Sequence, residues 1–167
     1  MSVSRSPIVR AVRALLTVVV VLTFSSCASG GTGSGSGDPA QIEFAPELGI
    51  FLGQMTRTSD GLYYHDMEVG TGDEARLDKR VTIHYNGWRP DGSLFDSSIA
   101  AEEPFVFILG RREVIRGWDL GIRGMRVGGR RLLVIPPGLA YGSRGLSGVI
   151  ERNATLVFEV ELLDVSN

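Results

Sequence analysis

Residues 113–122, EVIRGWDLGI, constrain the fold of this chain more than any other part of its sequence. The apolar residues in and just after this stretch recur at the spacing of one helix face: Ile115, Trp118, Ile122 and Met125. Glycines are interspersed among them, and each costs about 1 kcal/mol relative to alanine in a helix interior. A helix this short is marginal in water on its own. We therefore expect a short helix that tertiary packing must hold, with the indole of Trp118 as its anchor.

The first 27 residues are typical of an export signal rather than of a folded domain. Three arginines precede an apolar run at 14–24, which is shorter than a membrane-spanning helix but has the length of the apolar part of a secretory signal. An uncleaved membrane anchor is the alternative, and small residues at 25–26 disfavour it. TFSSCAS resembles the lipobox of bacterial lipoproteins, although Phe24 replaces the usual aliphatic residue. The resemblance implies lipidation of Cys27 and an exported protein, anchored by lipid at the periplasmic or extracytoplasmic face of a cell-envelope membrane.

Residues 28–57 separate this signal from the domain that follows. Residues 28–37 are rich in glycine and serine, a composition typical of a flexible tether with a reach of roughly 15–20 Å. Residues 38–57 mix proline, glycine and apolar side chains without a clear period. We expect an ordered or semi-ordered extension there, with a short helix or turn around residues 47–55. The predicted organisation is a signal at 1–27, a linker and extension at 28–57, and a domain at 58–167.

The remainder of the chain has the sequence pattern of a β-rich domain. Five stretches alternate apolar and polar residues, or form short apolar runs bounded by turn residues: 62–69, 81–88, 105–109, 130–135 and 154–165. A return segment begins at Leu94, and residues 138–153 form a long glycine-punctuated loop. The continuous apolar run at 105–109 predicts a strand covered on both faces. With one short helix among these strands, the predicted class is α+β, an antiparallel sheet of about five strands wrapped around that helix.

Composition excludes several classes of function. A formal net charge of −2 gives no reason to expect a nucleic-acid partner. One cysteine permits no intramolecular disulfide, and the two histidines, His65 and His84, belong to no cluster at metal-ligand spacing. We therefore expect no metal and no cofactor. No Ser/His/Asp or Cys/His set indicates a nucleophilic enzyme, and we interpret His84 as structural.

Six motifs follow one another after residue 83: HYNG at 84–87, FDSS at 95–98, PFVF at 104–107, EVIRGW at 113–118, AYG at 140–142 and ATLVFEVELL at 154–163. In this order and spacing they resemble the FKBP-type peptidyl-prolyl isomerase domain, over roughly residues 58–165. The resemblance implies an FKBP-like fold and an enzyme that isomerises Xaa-Pro bonds of polypeptide substrates. It also implies macrolide ligands, and we expect a monomer.

The resemblance further implies an aromatic pocket with Trp118 as its floor. The positions that match its catalytic residues are Tyr85, Phe95, Asp96, Trp118, Tyr141 and Phe158. The positions that match its substrate-binding residues are Phe105, Phe107, Val114, Ile115 and, from the long loop, Val149 or Ile150. By the same resemblance, the Ile115 N–H and the Tyr141 hydroxyl hold substrate carbonyls. Without it, the phenylalanines and Ile115 read as plain core, the tyrosines as surface residues, and Asp96 as a local turn cap.

The chain departs from the family pattern around this pocket. The acidic–aromatic pair of the family is absent at residues 138–139, and the histidine–proline pair is absent at 146–147. The tip of the loop at 149–152 contains no proline, and residues 99–103 lack an arginine that often pairs with Asp96. These departures keep a second hypothesis open, a macrolide- or client-binding chaperone module with little isomerase activity. A third is a structural envelope protein without a ligand.

Overall fold

The computed structural model describes residues 37–167. Its seven strands are β1 (Thr56–Arg57), β2 (Tyr63–Glu68), β3 (Arg80–Trp88), β4 (Leu94–Ser97), β5 (Phe105–Ile108), β6 (Arg130–Ile135) and β7 (Leu156–Ser166). One α-helix, α1, spans Arg116–Ile122, and five 3-10 helices span Pro39–Gln41, Pro46–Leu48, Leu52–Gln54, Pro137–Leu139 and Gly142–Arg144. The expected export signal, the expected lipidation site at Cys27 and most of the expected tether lie outside the described residues.

The strands form one antiparallel sheet in the order β1–β2–β6–β7–β3–β4, and β5 also pairs with β3. Because β7 pairs along the whole of β3, β4 and β5 share the other edge of β3. Between these two partners, Ser98 completes the pairing at Tyr85. The Tyr85 N–H donates to Ser98 Oγ at 2.8 Å, and the Tyr85 carbonyl accepts from the Ser98 N–H at 3.1 Å.

Helix α1 packs closely against one face of this sheet. It buries Gly117, Trp118, Gly121 and Ile122. A Cβ atom on Gly121 would lie 2.8 Å from a methyl carbon of Leu133, and one on Gly117 would overlap Ile135. Both neighbours belong to β6, so these glycines are required by the close approach of helix and strand. The short helix is therefore held by tertiary packing against the sheet, as its sequence predicts.

The opposite face of the sheet is covered by residues 44–55. Five side chains of this extension pack there against Tyr63, Val134 and Val157: Phe44, Leu48, Ile50, Leu52 and Met55. Two 3-10 helices lie in this segment, where the sequence predicted a short helix or turn. The first three residues of β7 are therefore all buried, whichever face of the sheet they lie on.

Three expectations about the elements differ from the structure. The sheet has seven strands rather than about five, because β1 has only two residues and β4 was expected only as a return segment after a turn. Helix α1 begins at Arg116, three residues after the start of the predicted stretch. The prediction that residues 105–109 are covered on both faces is wrong, since Phe105 and Val106 are 39% and 45% exposed. Strand β5 pairs only with β3 and lies at an edge of the sheet.

Arg131 on β6 is a charged side chain buried beside the end of α1. Its Nη1–H donates to the Gly121 carbonyl at 2.8 Å, and its Nε–H donates to Asp66 Oδ1 at 2.6 Å. Its guanidinium also lies 4.6 Å from the centroid of the Tyr64 ring. The last carbonyls of a helix have no partner within the helix, so Arg131 supplies one from the sheet.

We expect Arg131→Met to lower the free energy of unfolding by about 2–3 kcal/mol, because the Gly121 carbonyl and Asp66 lose their donor. Arg111→Met is the matched control, since Arg111 pairs with Asp78 in a largely exposed ion pair. Such surface pairs contribute about 0–1 kcal/mol. Urea unfolding of both variants measures the difference, and equal losses would contradict a special role for Arg131.

Candidate active site

The indole of Trp118 lies at the centre of a cluster of aromatic side chains and is 6% exposed. Four ring centroids surround it, those of Tyr85 at 4.7 Å, Phe158 at 5.2 Å, Phe105 at 5.8 Å and Phe107 at 6.0 Å. All but Phe107 meet the indole edge to face, an arrangement that aromatic pairs favour. The indole Nε1–H has no hydrogen-bond partner among residues 37–167. The cluster thus forms an apolar enclosure with one unused donor at its centre.

Phe95 joins this enclosure through Phe158, with ring centroids 5.6 Å apart. Gly87 makes room for both rings, because a Cβ atom there would lie 2.7 Å from Phe158 Cε1 and 2.9 Å from Phe95 Cζ. The glycine of the HYNG motif has no role that the sequence alone indicates. The structure assigns it one, since any side chain at this position would displace a wall of the cluster.

Asp96 lies at the exposed edge of the cluster and accepts two hydrogen bonds. The Tyr85 hydroxyl donates to its Oδ2 at 2.6 Å, and the Ser97 N–H donates to its Oδ1 at 2.9 Å. Asp96 is therefore both a local cap and a partner of an aromatic residue of the cluster. No arginine or lysine in the described part of the chain forms an ion pair with it.

Two phenols near Asp96 are held in the neutral form. Burial, followed by the hydrogen bond to Asp96, raises the pKa of Tyr85 well above its ordinary value near 10. Burial, followed by the charge of Asp96, raises the pKa of Tyr141 as well. Both hydroxyl groups are therefore donors at neutral pH. That of Tyr85 is used internally, whereas that of Tyr141 meets no acceptor among the described side chains or backbone.

The segment between β5 and α1 presents a backbone donor beside Trp118. The Ile115 carbonyl accepts from the Trp118 N–H at 2.9 Å, but the Ile115 N–H donates to no acceptor within residues 37–167. Two carboxylates hold the segment in place. Glu113 Oε2 accepts from the Ile108 N–H at 3.0 Å, and Asp119 Oδ1 accepts from the Gly110 N–H at 2.7 Å. The half-buried side chains of Val114 and Ile115 pack against the same core.

The loop after β6 contributes Ile150 rather than Val149 to this core. Ile150 is 6% exposed and belongs to the core cluster that contains Trp118, whereas Val149 is 39% exposed. Leu146 and Ile150 exchange two backbone hydrogen bonds of 2.8 Å, which close the turn between them. The sequence left the choice between the two residues open.

Ser98 holds the backbone of Tyr85, a member of the cluster, and in the sequence it is identified only as part of the FDSS motif. It is buried, and its hydroxyl lies 2.9 Å from His84 Nδ1 in addition to its bond with the Tyr85 N–H. His84 therefore lies next to the site through its contact with Ser98. A cleft of about 480 Å³ elsewhere, at Asp38, Arg57 and Asn153, includes no residue of the cluster.

Comparison with known proteins shows the family of this chain. The sequence model of a family described as FKBP-type peptidyl-prolyl cis-trans isomerase matches residues 72–163, more than half of the chain. This chain belongs to that family. It is accordingly an FKBP-type isomerase, and all the aromatic residues of the cluster lie within the matched residues.

Individual relatives extend the comparison. An FK506-binding protein of Neisseria meningitidis serogroup B is 49% identical over 105 residues, which cover 63% of this chain and 96% of that protein. FK506-binding protein 2B of Rhizopus delemar is 46% identical over 128 residues, covering 76% of this chain and 54% of that protein. The crystal structure of FkpA from Escherichia coli is 42% identical with a TM-score of 0.63, covering 68% of this chain and 52% of that one. AtFKBP13 is 38% identical with the same TM-score, covering 66% and 97%.

In this FKBP domain, Tyr85→Phe should reveal the raised pKa of the phenol. Because the folded-state pKa lies above the unfolded value, the bond to Asp96 stabilises the fold fully below about pH 10 and is lost as the pH rises further. We expect the variant to lose about 1–2 kcal/mol of unfolding free energy at neutral pH. The difference from the wild type should stay constant up to about pH 9 and shrink above about pH 10. Urea unfolding across this range measures it, and a difference independent of pH would contradict the assignment.

Proposed function

We propose that this FKBP-type isomerase accelerates the folding of exported polypeptides by stabilising a twisted Xaa-Pro amide against the Trp118 indole, without a covalent intermediate. The observation that carries the proposal is the apolar aromatic enclosure around Trp118, which has two donors at its edge that no described residue uses. The substrate is a proline-containing polypeptide, and neither a cofactor nor a nucleic acid takes part.

The physics of the reaction suits such an enclosure. Rotation about a peptide bond crosses a barrier of about 18–20 kcal/mol because amide conjugation is broken on the way. The carbonyl oxygen of the twisted amide has lost conjugation and carries less negative charge than that of the planar amide. An apolar site therefore disfavours the planar state more than the twisted one. Each 1.36 kcal/mol of this difference increases the rate tenfold.

The two unused donors are proposed to orient the substrate. The Ile115 N–H and the neutral Tyr141 hydroxyl would each bind a carbonyl of the bound peptide. Fixed donors of this kind orient the peptide without reorganising during rotation, while the apolar walls supply the preference for the twisted state. Tyr85 would hold Asp96 in position at the edge of the cluster, because its hydroxyl already donates to the Asp96 carboxylate and is not available to the substrate.

A second function, binding of macrolides or of client chains with little catalysis, is favoured by a separate observation. Relatives of this chain are called FK506-binding proteins. Several apolar side chains on the elements that form the site are exposed: Leu94, Ile99, Phe105, Val106, Leu146 and Val149. Exposed apolar surface of this kind often marks a binding site. The loop at residues 146–152, which departs from the family pattern, is more relevant to this binding function than to packing at Trp118.

Tyr141→Phe should lower kcat/KM for an Xaa-Pro peptide about fivefold, because a neutral hydrogen bond contributes about 1 kcal/mol. Tyr64→Phe is the matched control, since the Tyr64 ring stacks with Arg131 outside the aromatic cluster. The relaxation of the cis/trans equilibrium measures both variants and the wild type. If the wild-type protein binds a macrolide but does not speed the cis/trans relaxation, the isomerase function is contradicted and the binding function is supported.

We also propose that the protein reaches its clients as an exported lipoprotein held in the cell envelope. The support is the sequence of residues 1–37, with its apolar signal, the lipobox-like TFSSCAS and the Gly/Ser-rich tether. Lipid attached to Cys27 would provide the membrane contact. Within residues 37–167, no helix has the length and apolarity that a bilayer crossing requires.

Mass spectrometry of the membrane fraction should therefore find the mature chain beginning at a diacylated Cys27. Cys27→Ala should release the protein from that fraction, because stable anchoring depends on the acyl chains. Ser26→Ala is a control that keeps the cysteine and a small residue before it. A cleaved chain that begins at a free serine or alanine would contradict the lipid anchor.

A further inference from the structure

Arg89, at the turn between β3 and β4, connects two parts of the site that are distant in the sequence. Its Nη1–H donates to Ser93 Oγ at 3.0 Å, across the turn. Its Nη2–H donates to the carbonyl of Val149, in the loop that follows β6. Its guanidinium carbon lies 5.9 Å from the centroid of the Phe95 ring. One side chain thus contacts a wall of the aromatic cluster and the loop beside it.

The Val149 carbonyl is a place from which the loop can be held. The Val149 N–H donates to the Leu146 carbonyl at 2.9 Å. Leu146 and Ile150, on either side of this turn, exchange two backbone hydrogen bonds. Ile150 in turn packs into the core cluster that contains Trp118. A bond to the Val149 carbonyl therefore restrains the turn that brings Ile150 to the cluster.

The other end of the contact is a well-anchored turn. Asp91 Oδ1 accepts from the Ser93 N–H at 2.9 Å and from the Ser93 hydroxyl at 2.6 Å, so that Ser93 Oγ is oriented to accept from Arg89. The Pro90 carbonyl accepts from the Ala45 N–H at 2.8 Å, which ties the turn to the N-terminal extension. The guanidinium consequently reaches the loop from a fixed base.

We propose that Arg89 is a positioning residue that ties the 146–150 loop to the Phe95 wall and so sets how closely the loop covers the peptide bound at Trp118. The proposal rests on the proposed isomerase function. Arginine suits this role better than lysine, because its planar fork places donors on Ser93 and Val149 at once while its face lies near an aromatic ring. The loop lacks a proline-containing tip, and the bond from Arg89 supplies a restraint that the loop sequence does not.

Removing this restraint should affect substrate binding more than the chemical step. The loop contacts the bound peptide in both its planar and its twisted states, so loosening it weakens binding of both states equally. For Arg89→Gln we expect KM for an Xaa-Pro peptide to rise about five- to tenfold and kcat to change less than about twofold. Arg89→Lys should recover part of the affinity, since one donor can still reach the Val149 carbonyl.

Hydrogen exchange of the wild-type and variant chains tests the contact without relying on activity. In Arg89→Gln, the amides of Val149 and Ile150 should exchange about tenfold faster, while that of Tyr85 on β3 should not change. Arg80→Gln is the matched control, because Arg80 is an exposed arginine at the start of β3, the end away from Arg89.

Three outcomes would decide the proposal. Faster exchange confined to the loop, together with a raised KM, supports it. Unchanged exchange at Val149 and Ile150 overturns it, and so does faster exchange at every core amide, which would make Arg89 a general stabilising residue. If the wild-type chain shows no isomerase activity, the proposed function fails separately, and the exchange of the loop amides still decides whether Arg89 holds the loop.

Discussion

The contact between the Trp118 indole and the sheet is the interaction on which the rest of the structure depends. Helix α1 has seven residues, two of which are glycines, so it has little stability of its own. Its indole packs against rings from three strands, and its glycines allow β6 to approach the helix backbone. The same indole is the floor of the proposed site. Stability and the proposed function therefore rest on one side chain, and a substitution of Trp118 would affect both.

The site is located where β3 changes its partner. On the edge of β3 away from β7, the first residues of the strand pair with β5 and the last residues pair with β4. Between them, the backbone hydrogen bonds of Tyr85 on this edge go to Ser98 instead of to a strand. The Tyr85 ring contacts Trp118 at this break in pairing, and Ser98 prevents the loss of backbone hydrogen bonds that the break would otherwise cost. The buried serine thus allows the pairing to be interrupted beside the aromatic cluster.

Local sequence patterns predicted the parts of this fold that have a period. Five of the seven strands and the helix face of Trp118 follow from apolar spacing or apolar runs, and the motif resemblance predicts that the aromatic residues share one pocket. The start of α1 was predicted too early because Glu113 uses its side chain to hold β5 instead of entering the helix. The choice of Ile150 over Val149, the burial of Val157 and the contacts of Arg89 depend on segments far away in the sequence. No local pattern records such contacts.

The N-terminal extension shows how such distant contacts influence the site. Its apolar side chains have no period, yet they cover the outer face of the sheet at Tyr63 and Val157. Its backbone also binds the turn from which Arg89 reaches the loop over the aromatic cluster. A sheet covered on one face only would leave β7 half exposed and this turn without support. The extension is therefore better understood as the second layer of the domain than as part of the tether, and the proposed site depends on it through the turn at Pro90.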